Sequence, residues 1–337
     1  MKGPLPYSCF FVAVLILASC EGSHTESSDV GSQPEPTPLV VTKGLAQESG
    51  PCSVTLDCEG DVNSREALCG KLTAEDGSVW ALPAPISDGQ PALDVFNECT
   101  GGGANSDYES ELTPTILSED GDEITAFLFG DNYFEFYVNG QFMGRDAVAF
   151  TPFNSHVARY RVDYPVTYAV SLVDWEGYLG VGLEDQQERI HIGDAGFIAT
   201  FSDGTVTNED WKCRAFYVAP LDDPECLVLD ANGNLDSSGC PRTDDTVSCV
   251  SNDPTNTCRG AHLPLPNDWM SPDYDDSGWL PATIYTADEV TNAAGFRNYE
   301  DTLFSGAQFI WTSNLNLDNH VVCRLTVDFL PSEPGDQ

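Results

Sequence analysis

Basic side chains are scarce. There are 14 Lys and Arg against 54 Asp and Glu in 337 residues, a formal net charge of −40. Binding a polyanion needs basic contacts to its phosphates, so nucleic acid is excluded as a partner. A polybasic dock on anionic lipid is excluded for the same reason. Several signatures of chemistry are absent as well. No C-x-x-C occurs, which removes zinc knuckles and thioredoxin-like redox motifs. The five histidines, His24, His156, His191, His262 and His320, show neither HxH nor HExxH spacing. There is no G-x-S-x-G nucleophile elbow and no G-x-x-x-x-G-K-[ST] phosphate loop. Acidic neighbours such as Asp222-Asp223, Glu184-Asp185 and Asp244-Asp245 discriminate nothing in a chain this acidic. The chain therefore reads as non-enzymatic. Its acidity has a bland source too: carboxylates keep a surface soluble at raised ionic strength.

What is present begins with an exported N-terminus. Lys2 supplies a charge, Phe10 to Ala18 is a short apolar run, and small residues follow. That pattern is a secretory signal over residues 1–19. Leu17-Ala18-Ser19-Cys20 resembles the bacterial lipobox. The resemblance implies a lipid on Cys20, an anchor in the bilayer, and a place in the bacterial cell envelope. No other run reaches the ~18 apolar residues of a membrane-crossing helix. Residues 20–50 (GSHTESSDVGSQPEPTP and its flanks) are polar and read as a tether. A segment over 51–107 and a main body over 108–332 follow, the latter with a Cys-rich insert at 223–262.

Setting aside Cys9 and Cys20 leaves ten of the twelve cysteines. They are Cys52, Cys58, Cys69, Cys99, Cys213, Cys226, Cys240, Cys249, Cys258 and Cys323. An even number in an exported chain reads as a disulfide set. They cluster at 52–99 and 213–258, with Cys323 apart. Pairing inside each cluster is the expectation, though connectivity itself is not written in a sequence.

The body has the texture of an all-β protein. Short runs rich in Phe, Tyr, Val and Ile alternate with Gly, Asn, Asp and Pro, and long helical periodicity is missing. Phe134-Glu135-Phe136-Tyr137-Val138 ends at Asn139-Gly140, the dipeptide of tight hairpins. Similar runs lie at 168–173, 196–201, 308–311 and 321–325. Many short strands with frequent turns argue a β-sandwich.

These residues also carry a family resemblance. Asp131 to Gly140, with Gly144 and Arg145, resembles the Asn-Gly hairpin of galactose-binding-like jelly rolls. Asp203-Gly204, Trp211-Lys212, Trp269 and the run Pro272-Asp273-Tyr274-Asp275-Asp276-Ser277-Gly278-Trp279 follow in the order seen in the accessory β-sandwich modules of bacterial α-L-rhamnosidases. The match covers roughly 120–325. It implies a galactose-binding-like jelly roll with disulfide-rich loops, and a neutral or cationic glycan as the expected partner. The catalytic residues of those enzymes sit in a helical barrel for which this chain has no counterpart, so the resemblance implies no hydrolytic residues.

Candidate ligand residues follow, each beside a structural alternative. Trp175, Glu176 and Tyr178 put two aromatics and a carboxylate in one loop; they read as a sugar platform or as an interstrand corner. Trp269, Asp275, Asp276 and Trp279 read as sugar contacts, or as a turn in which Asp and Ser cap the backbone and Trp plugs the core. Asp230, Asn232, Asn234 and Asp236 place oxygens at alternate positions. That pattern resembles a calcium loop, though Pro241 stands where an EF-hand has its glutamate, and a plain Asx turn is the alternative. Three readings of the whole remain: a carbohydrate-binding surface lipoprotein, a structural or adhesive envelope protein, and an extracellular glycan-acting enzyme. Exposure of Trp175, Tyr178 and Trp269 discriminates the first from the second.

Overall fold

The computed structural model describes residues 38–44, 54–56, 65–67, 70–97, 103–147, 154–175, 181–186, 189–243, 258–291 and 293–329. All of them belong to the compact unit Pro36–Gln337. Cys20, Glu176 and Tyr178 lie outside the described residues, as do Cys52, Cys58, Cys69, Cys99 and Cys249.

In chain order the principal strands begin with β1 (Val40–Lys43), β2 (Gly70–Thr73), β3 (Val79–Leu82), β4 (Leu93–Asn97) and β5 (Asp122–Asp131). Then come β6 (Tyr133–Val138), β7 (Gln141–Arg145), β8 (Asn154–Val162), β9 (Val166–Val173) and β10 (Gly196–Phe201). The last are β11 (Lys212–Leu221), β12 (Arg259–His262), β13 (Thr283–Tyr285), β14 (Phe309–Trp311) and β15 (Asp318–Val327). One sheet runs β1-β12-β11-β15-β9-β6-β7, and the other β13-β14-β10-β5-β8-β4 with the short strand Gly103–Ala104 beyond. Pairing in these orders is antiparallel throughout; Thr115–Ile116 adds a parallel pairing beside β8. The result is all-β and sandwich-like, as composition and turn spacing predict.

Strand alternation explains the layering. On β6, Phe134, Phe136 and Val138 are fully buried in the main core, while Tyr133, Glu135 and Tyr137 point to the opposite face. In the core, Tyr168 stacks on Phe201 at 4.3 Å, and Trp211 lies parallel to both. Asp203 accepts hydrogen bonds from the hydroxyls of Tyr164 (2.6 Å) and Tyr168 (2.9 Å), so the phenols enter without stranded polar groups. The β6–β7 turn forms at Asn139-Gly140, with Val138 opposite Gln141. Both turn residues have positive φ, 48° and 78°, the conformation that favours Asn followed by Gly.

Three boundaries fall elsewhere than composition suggests. The tether expected over 20–50 contains a strand: β1 pairs with β12, and Thr42 is buried. Within 51–107, the described strand β4 pairs with β8 and so shares a sheet with the main body. The expected insert 223–262 ends in β12, which lies between β1 and β11. Its sequence, Arg-Gly-Ala-His, lacks the apolar alternation by which a strand is recognised. It is held by neighbours on both sides, not by its own pattern.

The disulfides also correct the local expectation in part. Cys226–Cys240 joins within the second cluster, 14 residues apart. Cys213 pairs instead with Cys323, 110 residues away, because they are directly opposed on β11 and β15 with a Cα separation of 4.1 Å. Cys258 is disulfide-bonded as well.

Candidate functional site

The tryptophan and aspartate loops are the first place to look for a ligand. Trp175, Trp269 and Trp279 are 4%, 3% and 6% exposed. Trp269 meets Tyr137 edge-on at 5.1 Å, and Trp279 packs against Tyr274 and Phe216. Trp175 packs edge-on against Tyr133, and its backbone N–H donates to Asn132 Oδ1. None of the three presents a face for a pyranose to stack on. These three tryptophans are core plugs and do not themselves form the sugar platform expected there.

The carboxylates of the same loop are spent internally. Asp275 Oδ1 accepts the backbone N–H of Ser277. Asp276 accepts from Arg324 Nε at 2.9 Å and from Lys212 Nζ at 2.8 Å. Burial pushes the Asp276 carboxyl up, but the hydrogen bonds from Lys212 and Arg324 outweigh this and hold it below the ordinary range. Arg324 is 1% exposed. Its other donors reach the carbonyls of Trp269 and Ser271, and its guanidinium lies 5.2 Å over the Tyr274 ring. A buried arginine thus ties the whole Trp269–Trp279 segment to the outer face of the first sheet. Spacing gave no hint of Arg324, since its partner lies 48 residues away.

The calcium-like loop is an Asx turn. Asp230 Oδ1 accepts the N–H groups of Asn232 and Asn234, and Oδ2 accepts Asn234 Nδ2. Asn234 also donates to Gly278 O, and Asp236 caps Ser238. The Arg214 guanidinium donates to Gly233 O within the same loop. The Asp230 and Asp236 carboxylates therefore turn to their own backbone, and the cation beside the loop is already a guanidinium. Among the described residues no three His, Cys, Asp or Glu side chains gather as a metal site.

The structure assembles a different constellation on the outer face of the first sheet. His262 on β12 and His320 on β15 both register against Tyr217 on β11. Register of this kind cannot be read from positions 217, 262 and 320, so inspection for HxH spacing passes over it. The His262 ring is sandwiched between Tyr217 (4.4 Å, 19° between planes) and Trp80 (4.6 Å, 30°). Its Nε2 lies 2.9 Å from Thr42 Oγ1, and His320 Nε2 lies 3.0 Å from Ser171 Oγ. A stripe of hydroxyl, imidazole, phenol, imidazole and hydroxyl thus crosses five adjacent strands.

The β2–β3 hairpin and the prolines after it roof this stripe, leaving a cavity of about 370 Å³. Burial lowers the His262 pKa to about 3, with His320 adding to the effect, and lowers His320 to about 4. Both imidazoles are neutral at physiological pH. A second cavity of about 350 Å³ lies beside the Asx turn, between Arg214 and Leu280.

Set against known proteins, no family model, no curated protein and no solved structure matches the chain. The class it can be assigned to is the one its own geometry defines, a disulfide-fastened, sandwich-like all-β module.

Proposed function

We propose that this chain is a non-catalytic structural or adhesive module of the bacterial cell envelope, anchored through a lipid on Cys20. On this reading it is a galactose-binding-like jelly roll that serves as a scaffold rather than a lectin. One observation carries the choice between scaffold and lectin: Trp175, Trp269 and Trp279 are all buried against rings of the chain itself. The engagement of Asp276 with Arg324 and Lys212 supports it, since each oxygen of that carboxylate already accepts from a cationic side chain. The lipobox-like Leu17-Ala18-Ser19-Cys20 supports the anchor.

A glycan array probed with the full chain tests the scaffold reading. The expected outcome is no saturable binding to neutral, cationic or acidic glycans. Saturable neutral-sugar binding that perturbs the Trp269 or Trp279 indole signals would overturn it. The anchor is tested separately by replacing Cys20 with Ser and fractionating cells. The variant should leave the membrane fraction, and unchanged detergent partitioning would refute lipidation.

A further inference from the structure

The cavity under the β2–β3 hairpin has a lining that the rest of the chain does not predict. In a protein with 54 carboxylates, none lines it. Its walls are mostly apolar or aromatic: Trp80, Phe216, Leu263, Leu265 and the two prolines of the roof. Polar groups enter chiefly through two imidazoles, which are 2% and 3% exposed. Each has spent one nitrogen on a hydroxyl and has no hydrogen-bond partner for Nδ1 among the described residues. Thr42 Oγ1 lies 2.9 Å from His262 Nε2 and 3.4 Å from Gly260 O, so a ligand group that donates to Nδ1 selects the tautomer in which Nε2–H donates to Thr42 and the hydroxyl turns to Gly260 O. In that tautomer Nδ1 of His262 is an acceptor, in a ring that lines the cavity.

We propose that this cavity binds a small, neutral, flat molecule of the phenol or indole class, whose O–H or N–H donates to His262 Nδ1 while its ring lies against the aromatic wall. The volume suits such a ligand, at the lower end of typical small-molecule sites. A metal cation is disfavoured because the lining offers no carboxylate. A free sugar is disfavoured because two nitrogens cannot satisfy a ring of hydroxyls, and each unpaired buried hydroxyl costs binding energy. Organic anions have only Lys71, an exposed side chain at the rim, and a strongly negative body around it. This inference stands apart from the scaffold reading, which concerns the tryptophan loops on other segments.

The test uses the full chain with ¹³C-labelled histidines and indole as the probe. Indole should shift the ring signals of His262 and His320 saturably and leave His156 unmoved. His262→Phe should weaken binding about tenfold, the equivalent of one hydrogen bond. Ala81→Trp fills the cavity from the hairpin and leaves both histidines in place; it should abolish the shifts in a folded protein. The proposal fails if indole produces no saturable shift in wild type, or if Ala81→Trp binds as wild type does. It fails equally if galactose or rhamnose shifts these signals and indole does not.

Discussion

Arg324 shows at the scale of one residue how an apparent binding motif becomes structure. A guanidinium at 1% exposure is tolerable only if its donors are met, and Asp276 with two backbone carbonyls meets them. Removing one partner of a buried pair costs about 3–5 kcal/mol, because the other charge stays buried. Asp276→Ala should therefore destabilise far more than Lys212→Ala, since Lys212 is half-exposed and can turn to water. Urea unfolding of the two variants checks this; equal losses would contradict it. Asp318 works in the opposite sense. It is fully buried, and burial raises its carboxyl to about 7 despite hydrogen bonds from Ser237 and Thr312. A carboxyl raised on folding stabilises the fold fully below its unfolded pKa of about 4, and that contribution is lost as pH rises through the folded value. Asp318→Asn should erase this component. Stability of wild type relative to the variant should fall between pH 5 and pH 8, and a constant difference would exclude the titration.

At the scale of elements, the cross-strand disulfide has the longest reach. Cys213–Cys323 closes 110 residues and joins β11 to β15 inside the core, whereas Cys226–Cys240 closes 14. Loop-closure entropy grows with the length enclosed, so the longer bridge should stabilise more, within the usual range of about 2–4 kcal/mol. Calorimetry of the Cys213→Ala/Cys323→Ala and Cys226→Ala/Cys240→Ala pairs should show the greater loss of Tm in the first; the reverse order would point to strain or residual structure. Elements also mark how much was legible beforehand. The runs at 134–138, 168–173 and 196–201 announced strands through their aromatic and β-branched residues, and Asn139-Gly140 announced its turn. β12 did not, because Arg259 to His262 is a strand only through β1 and β11 on its flanks. The candidate cavity was illegible for a related reason. His262, Tyr217 and His320 meet through strand register, which depends on tertiary pairing and on the bulges in β11. The tryptophans left two readings open, platform or core plug, and only the neighbouring rings show that Trp175, Trp269 and Trp279 turn inward.

The whole molecule carries −40 and yet keeps three histidines neutral in its interior. Burial lowers His156 to about 4, with Asp94 opposing the shift and Arg145 reinforcing it; His320 stands at about 4 and His262 at about 3. A histidine depressed on folding stabilises fully above its unfolded pKa of about 6.5 and loses that contribution as pH falls toward the folded value. Three histidines therefore pull stability down on acidification, while among the described carboxyls Asp318 pulls it up. The unfolded chain binds more protons by roughly one at pH 6.5 and by about two at pH 5, so the histidines win. Urea unfolding at pH 6.5, 5.75 and 5 should show stability declining stepwise, and declining more steeply in Asp318→Asn, where the opposing group is gone. Added NaCl should raise stability at each pH by screening the like charges over roughly 8 Å at 0.15 M, without changing the sign of the slope. A wild type that gains stability from pH 6.5 to 5 would mean that the buried imidazoles do not govern acid stability and that charge repulsion does.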